Sequence, residues 1–263
     1  MKRLFFALAL LPLVIVSAAP TLPQQGTSAI SAVLQAATDR GDVPGVAVAV
    51  VNKDGMLYNE GFGKSRTLTN TPMAKDTIFN MASMTKPITS VAIMMLVDDG
   101  KLKLDDEVAK YLPKWKDPLV ISSFNDADGT YETRPAKRPI TIRHLLTHTS
   151  GIGYGFASPM LTKIIEKTKK TELDLPLLFD PGEGWAYGAS TRVLGHVVEA
   201  ISGLKIDAFL DSRLLSPLGM HDTSYLVATE KYARVVAVNR RGNDGMFIEQ
   251  PVPATIPATV QGD

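Results

Sequence analysis

The chain has 263 residues, 28 basic and 27 acidic side chains, and no cysteine. A net charge of +1 gives no basic footprint for nucleic acid, and 45% hydrophobic against 21% charged residues is a globular composition. The absence of cysteine excludes disulfides, thiolate metal sites and a cysteine nucleophile, so any chemistry falls to Ser, Lys, Tyr, His or carboxylates.

Residues 1–19 read as a secretory signal peptide. Lys2 and Arg3 give the positive start, Leu4 to Val16 is apolar except for Pro12, and Ser17-Ala18-Ala19 offers small residues for cleavage. The apolar run is shorter than the roughly 20 residues a spanning helix needs, so export outweighs membrane anchoring. Next, Ile30, Val33, Leu34 and Ala37 give Thr27 to Arg40 a helical period. Val46 to Val51 and Met56 to Phe62 flank Lys53-Asp54-Gly55, a hairpin pattern.

Ala82 to Asp99 reads as a helix with Pro87 in its first turn and an apolar stripe of Ile88, Val91, Ala92, Met95 and Leu96. Residues 105–135 read as irregular, with Pro113, Pro118, Pro135 and a turn-prone Asn125-Asp126-Ala127-Asp128-Gly129. Helices are expected over Thr141 to Thr147, Pro159 to Lys170, Ser190 to Ser202 with Gly203 as its stop, and Ile206 to Leu215. From Tyr225 the chain turns strand-like and loop-rich, and it is Pro-rich over 251–257. This order is an α+β pattern with a helical insertion. The expected divisions are 1–19 signal peptide, 20–104 N-terminal α/β part, 105–225 mainly helical domain and 226–263 a return toward the α/β part.

Two segments could carry chemistry. Ser83-Met84-Thr85-Lys86 opens a long helix, where residues three apart share a face and the lysine amine reaches the serine hydroxyl. At a helix N-terminus the dipole favours an anionic oxygen near Ser83 and disfavours a charged lysine, and a neutral amine takes the serine proton so that the oxygen attacks an acyl carbon. The spacing alone is weak, arising about once by chance in a chain of this length. A second copy, Ser202-Gly203-Leu204-Lys205, straddles a helix end and reads as structural. The other segment is Gly182-Glu183-Gly184-Trp185-Ala186-Tyr187-Gly188-Ala189-Ser190. A tyrosine held near Lys86 could act as a general base, its phenol acidified by the neighbouring cation; Trp185 and Tyr187 read equally well as packing aromatics.

Other patterns fall away. Gly63-Lys64-Ser65 resembles the end of a P-loop, but Tyr58 stands where the first glycine is required. His144 and His148 have i,i+4 spacing without the glutamate of a zinc-protease helix or a third ligand nearby, so no metal is expected. The absence of Gly-x-Ser-x-Gly argues against an α/β-hydrolase.

Taken together, four ordered blocks resemble the serine β-lactamase-like hydrolases of the class C type, and within them the family VIII carboxylesterases. The blocks are Ile78 to Pro87, Ile142 to Gly151, Pro181 to Tyr187 and Pro217 to Thr223. The resemblance implies a β-lactamase/transpeptidase-like antiparallel sheet flanked by helices, with a helical domain beside it. It implies Ser83 as nucleophile, Lys86 and Tyr187 as proton-transfer partners, and Trp185 and Ala189 as substrate-binding positions. No cofactor is implied, and the partner is a small ester or β-lactam-like molecule.

Two departures refine this reading. Enzymes active on β-lactams have Tyr-x-Asn, whereas the third position here is Ala189, which lacks the amide and favours esters. No Lys-Thr-Gly or His-x-Gly follows Tyr187, and the family's chains continue beyond residue 263 with the strands that complete the sheet and supply a second oxyanion donor. The expected function is therefore an exported, periplasmic or secreted serine hydrolase acting on small esters. Alternatives are activity on β-lactams or D-alanyl-D-alanine stems, and a truncated, non-catalytic binding remnant.

Overall fold

The computed structural model describes residues 22–250. The expected signal peptide and the Pro-rich 251–257 segment lie outside the described residues. Among the described residues no helix is long and apolar enough to cross a membrane. By packing, the described residues divide into two compact units: residues 22–79 join residues 230–250, and Asn80–Thr229 form the second. Helix 85–98 thus packs with the helical middle of the chain, whereas the sequence grouped it with the hairpin.

The first unit begins with α1 (Gln24–Asp39) and strands β1 (Gly45–Asn52), β2 (Gly55–Arg66) and β3 (Thr71–Pro72). The strands form an antiparallel sheet in the order β1-β2-β3. The expected hairpin forms because Asn52 folds its Oδ1 back to accept from the Asp54 and Gly55 amides at 2.8 and 3.0 Å. Helix α1 is tied to the sheet by the Ser31 and Tyr58 hydroxyls, 2.7 Å apart.

The second unit begins with a 3-10 turn (Ala82–Met84) running into α2 (Thr85–Asp98). It continues with β4 (Leu119–Asn125), β5 (Thr130–Pro135), α3 (Ile142–Leu146), α4 (Pro159–Thr168), α5 (Ser190–Ser202) and α6 (Ile206–Leu210), which widens into a π-turn over Asp211–Leu215. The chain then returns to the first unit as β6 (Asn239–Arg241) and β7 (Phe247–Glu249), an antiparallel pair. Within that unit the Glu249 carboxylate accepts from the Thr67 hydroxyl at 2.7 Å and the Leu68 amide at 2.8 Å.

The core of the second unit lies between α2 and α5, with α3 and α6 closing its sides. Ala92, Ile93, Leu96, Val193, Leu194, Val197, Val198, Ile142, Leu145 and Phe209 are all buried there. The stripe that α2 buries is Thr89, Ala92, Ile93 and Leu96, at i, i+3, i+4 and i+7. Val91, expected inside, is 43% exposed. A polar residue starts the true stripe: Thr89 satisfies its hydroxyl on the Thr85 carbonyl at 3.3 Å, so it enters the core where an apolar-only pattern passes it over. Ile93→Ala is expected to destabilise by about 2–5 kcal/mol, and Val91→Ala by less than about 0.5 kcal/mol. Chemical denaturation of the two variants compares them.

The region expected to be irregular contains a hairpin. Pro118 and Pro135 stand just before β4 and at the last residue of β5, positions where a missing N–H is tolerated. The turn-prone Asn125 to Gly129 closes the hairpin, with the Gly129 amide donating to the Asn125 carbonyl at 2.9 Å. Phe124 pairs across the ladder with Tyr131, and both pack with Ile121 over Leu161 and Ile164 of α4.

Candidate active site

Ser83 sits at the entry to α2. The preceding Asn80 turns its Oδ1 onto the Ala82 amide at 2.9 Å. Ala82 adopts φ +43°, a left-handed backbone that L-residues with a Cβ rarely take and that concentrates at functional sites. The chain then enters the 3-10 turn with Ser83 exposed and Lys86 half-buried in the first turn of α2. Lys86 Nζ lies 3.5 Å from Ser83 Oγ, a loose contact of the kind that tightens when substrate is bound.

Tyr187 reaches the same oxygen from the far side of the sequence, its hydroxyl donating to Ser83 Oγ at 2.6 Å. Lys86 Nζ stands 5.0 Å from the Tyr187 ring centre and 5.6 Å from that of Tyr154, within cation–π range. The Tyr187 phenol is held below its ordinary pKa, first by the Ser83 hydrogen bond and then by Lys86, against the opposing effect of burial.

The loop carrying Tyr187 is fastened by backbone to the segment after α3. The Leu178 amide donates to the Gly151 carbonyl (2.8 Å), Gly182 to Thr149 (2.8 Å) and Ala186 to His148 (3.0 Å). Helix α3 starts from Thr141, whose hydroxyl accepts from the His144 amide while His144 Nδ1 accepts from the Thr141 amide. Asp180 anchors the other end of the loop. Its buried carboxylate takes both Arg134 guanidinium nitrogens, at 3.0 and 2.6 Å, and the Lys137 amide at 2.8 Å. Those bonds hold its pKa far below the usual carboxylate range. The Ser150 and Ser190 hydroxyls, both fully buried, meet at 2.9 Å. The second and third sequence blocks therefore form one scaffold.

Of the residues expected at the site, Ser83, Lys86 and Tyr187 converge. Trp185 is 66% exposed, its ring edge-on to His148 at 6.2 Å. Ala189 stands at the N-cap of α5, fully buried, with its methyl among the core side chains of the second unit. The fourth block does not join the site. Gly219 at φ +67° ends the α6 run, and Met220 packs on the core. Of the paired histidines, His144 is used by its cap and His148 lies against Tyr187, ring centres 5.1 Å apart. Among the described residues no cluster of three or more His, Asp or Glu side chains could hold a metal ion. Sequence reasoning missed Tyr154, Asp180 with Arg134, and His148 as a neighbour of the phenol. His148 lies inside the second block, with Tyr154 and Asp180 close beside the second and third, while no sequence pattern marks Arg134.

The fold is of the β-lactamase/transpeptidase type, and the chain belongs to the beta-lactamase family, whose model matches residues 30–258. It is 33% identical over 223 residues to lovastatin esterase of Penicillium rubens, covering 80% of this chain and 56% of that protein. It is 35% identical over 204 residues to esterase EstB of Burkholderia gladioli, covering 71% and 49%. Among solved structures it is similar to simvastatin synthase of Aspergillus terreus, with a TM-score of 0.77 and 29% identity over 85% of this chain and 59% of that one. Further relatives are named acyltransferases. The chain spans about half the length of the curated relatives it matches.

Proposed function

We propose that this protein is a serine ester hydrolase that works through an acyl-enzyme on Ser83. The observation that carries the reading is the convergence of the Tyr187 hydroxyl and Lys86 Nζ on Ser83 Oγ, at 2.6 and 3.5 Å. Deprotonated with the support of the Lys86 charge, Tyr187 accepts the Ser83 proton as Oγ attacks the ester carbonyl. The carbon–alkoxy bond breaks and the proton passes to the departing alcohol. Water then attacks the acyl carbon, gives up its proton to Tyr187, and releases a carboxylic acid while Ser83 regains its proton. The Ser83 amide lies in the first turn of the helical segment, where N–H groups lack intrahelical acceptors, and is the nearest oxyanion donor.

Ester preference over β-lactams rests on Ala189, a buried methyl at the position where β-lactam-active enzymes of this kind carry an amide. The exposed apolar side chains of Met84, Trp185 and Phe156 suit a neutral, apolar substrate. Measuring p-nitrophenyl butyrate against nitrocefin tests the assignment. The ester is expected to win in kcat/KM by at least about 100-fold. The opposite ratio would transfer the site to β-lactam chemistry, and no turnover of either would favour a binding remnant.

The acyltransferase names among the relatives motivate a second reading, in which an alcohol replaces the deacylating water. Ser83 is exposed, which favours water; added ethanol yielding ethyl ester as the main product would reverse that. We also infer export, from Lys2, Arg3 and the apolar run to Val16. Periplasmic protein beginning after Ala18 or Ala19 is the expected result of N-terminal sequencing.

A further inference from the structure

His148 stands beside the converging residues with no task in the proposed chemistry, yet its placement is costly. Its backbone is left-handed, φ +57°, a conformation with a steric penalty for any residue bearing a Cβ. Its carbonyl accepts the Ala186 amide at 3.0 Å, one residue from Tyr187. The ring is wedged between Tyr187 (centres 5.1 Å apart, planes at 44°) and the edge of Trp185 (6.2 Å, 66°). Nδ1 is buried without a hydrogen-bond partner, an exception that calls for a reason, since phenylalanine would fill the space without stranding a polar atom.

We propose that His148 is a positioning residue that walls Tyr187 onto Ser83 only while its imidazole is neutral, making the site acid-sensitive. This rests on the ester hydrolase reading. A neutral ring carries one N–H; protonation puts N–H on both nitrogens. Nδ1 then becomes a charged donor in a place with no acceptor, close to the Lys86 ammonium, and the ring must leave its seat. Lys86 on α2 is the charged group acting on His148, and Tyr187 on the facing loop is the titratable one in contact. The uncharged Thr147 and Thr149 flank it in its own segment. Burial first and the Lys86 charge second hold the imidazole below its ordinary value of 6.5, so the neutral wall persists at neutral pH and fails in mild acid.

The test is kcat and KM for p-nitrophenyl butyrate from pH 5 to 8.5, on the wild type, His148→Phe and His148→Ala. Below pH 6.5 wild-type kcat is expected to fall faster than the tyrosine limb it shares with His148→Phe, by an extra factor approaching tenfold per unit, with KM changed by less than about twofold. His148→Phe keeps the wall without the titration. Its kcat at pH 8 should stay within about threefold of wild type and should fall below pH 6.5 along the tyrosine limb alone. His148→Ala should lose about 30-fold in kcat at every pH with KM nearly unchanged. A His148→Phe variant whose kcat falls in acid as steeply as the wild type's, or that is as slow as His148→Ala at pH 8, overturns the proposal. If the alanine variant fails to fold by circular dichroism, the phenylalanine profile alone decides. Fluorophosphonate labelling of the wild type at pH 8 separates the two readings. Labelling with a wild-type to His148→Phe ratio of kcat that stays constant with pH defeats the His148 proposal alone, whereas neither labelling nor turnover defeats the ester hydrolase reading and this inference with it.

Discussion

Ser83→Ala is expected to abolish fluorophosphonate labelling and to lower ester turnover on the order of 10⁴-fold or more. Tyr187→Phe is expected to lower kcat by about 10²- to 10⁴-fold. The serine variant removes the attacking oxygen together with the atom on which Tyr187 and Lys86 converge. The tyrosine variant is the cleaner probe of proton transfer. It keeps the ring under the Lys86 ammonium and against His148 and removes only the hydroxyl. The pH dependence has a definite sign. Because Ser83 and Lys86 lower the phenol's pKa, the phenolate that accepts the serine proton forms at lower pH than for a free tyrosine. Wild-type kcat should therefore climb through an alkaline limb that reaches its plateau below pH 10, and Tyr187→Phe should lack that limb. Thermal melting of both variants should stay within a few degrees of wild type, because Ser83 is exposed and Tyr187 only partly buried. A Ser83→Ala protein that still labels, or a Tyr187→Phe protein at full rate, removes the proposed roles.

The parts of the fold that were legible in the sequence are those decided locally. Helix α5 runs from Ser190 to Ser202 as its periodicity indicates, and Gly203 ends it at φ +73°; both signals lie within one short window. The cap at Thr141 and the turn after Asn52 are local in the same sense. Where a side chain's role depends on a distant partner, the pattern misleads. Val91 looks like core and is exposed, while Thr89 looks like surface and is buried; only the direction from which α5 packs decides between them. The β4–β5 hairpin hid behind prolines that turn out to stand at its two ends. At the site, the Ser83–Lys86 pair follows from three-residue spacing on a helix, whereas Tyr187 comes from 104 residues away: its own segment left packing and proton transfer equally open, and the family resemblance implied the second. Asp180 with Arg134, and His148 with Tyr187, are tertiary pairs that no local window contains.

Gly188→Ala should separate the scaffold's contribution from that of the reacting groups. A Cβ at this position would lie 1.9 Å from the Ile152 carbonyl oxygen and 2.7 Å from the Gly153 Cα. Both are backbone atoms that cannot rotate away. The restriction is one of space, since two loop backbones run in contact just beyond Tyr187. To admit a methyl, one of them must move. If residue 188 retreats, Tyr187 moves with it off the 2.6 Å contact with Ser83. If residues 151–153 retreat, the Gly151 carbonyl leaves the Leu178 amide it accepts from at 2.8 Å, loosening the segment that braces the same loop. Overpacking of this kind costs about 3 kcal/mol, and displacement of a proton-transfer group by about 1 Å costs on the order of 100-fold in kcat. Gly195→Ala, seven residues on in the interior of α5, has nothing within 4 Å of its added Cβ and should stabilise by about 0.5–1 kcal/mol through helix propensity with kcat unchanged. Urea denaturation combined with kcat measured where both variants are fully folded distinguishes the outcomes. A Gly188→Ala enzyme that is destabilised yet turns over at the wild-type rate would show that Tyr187 is positioned without the 148–155 scaffold.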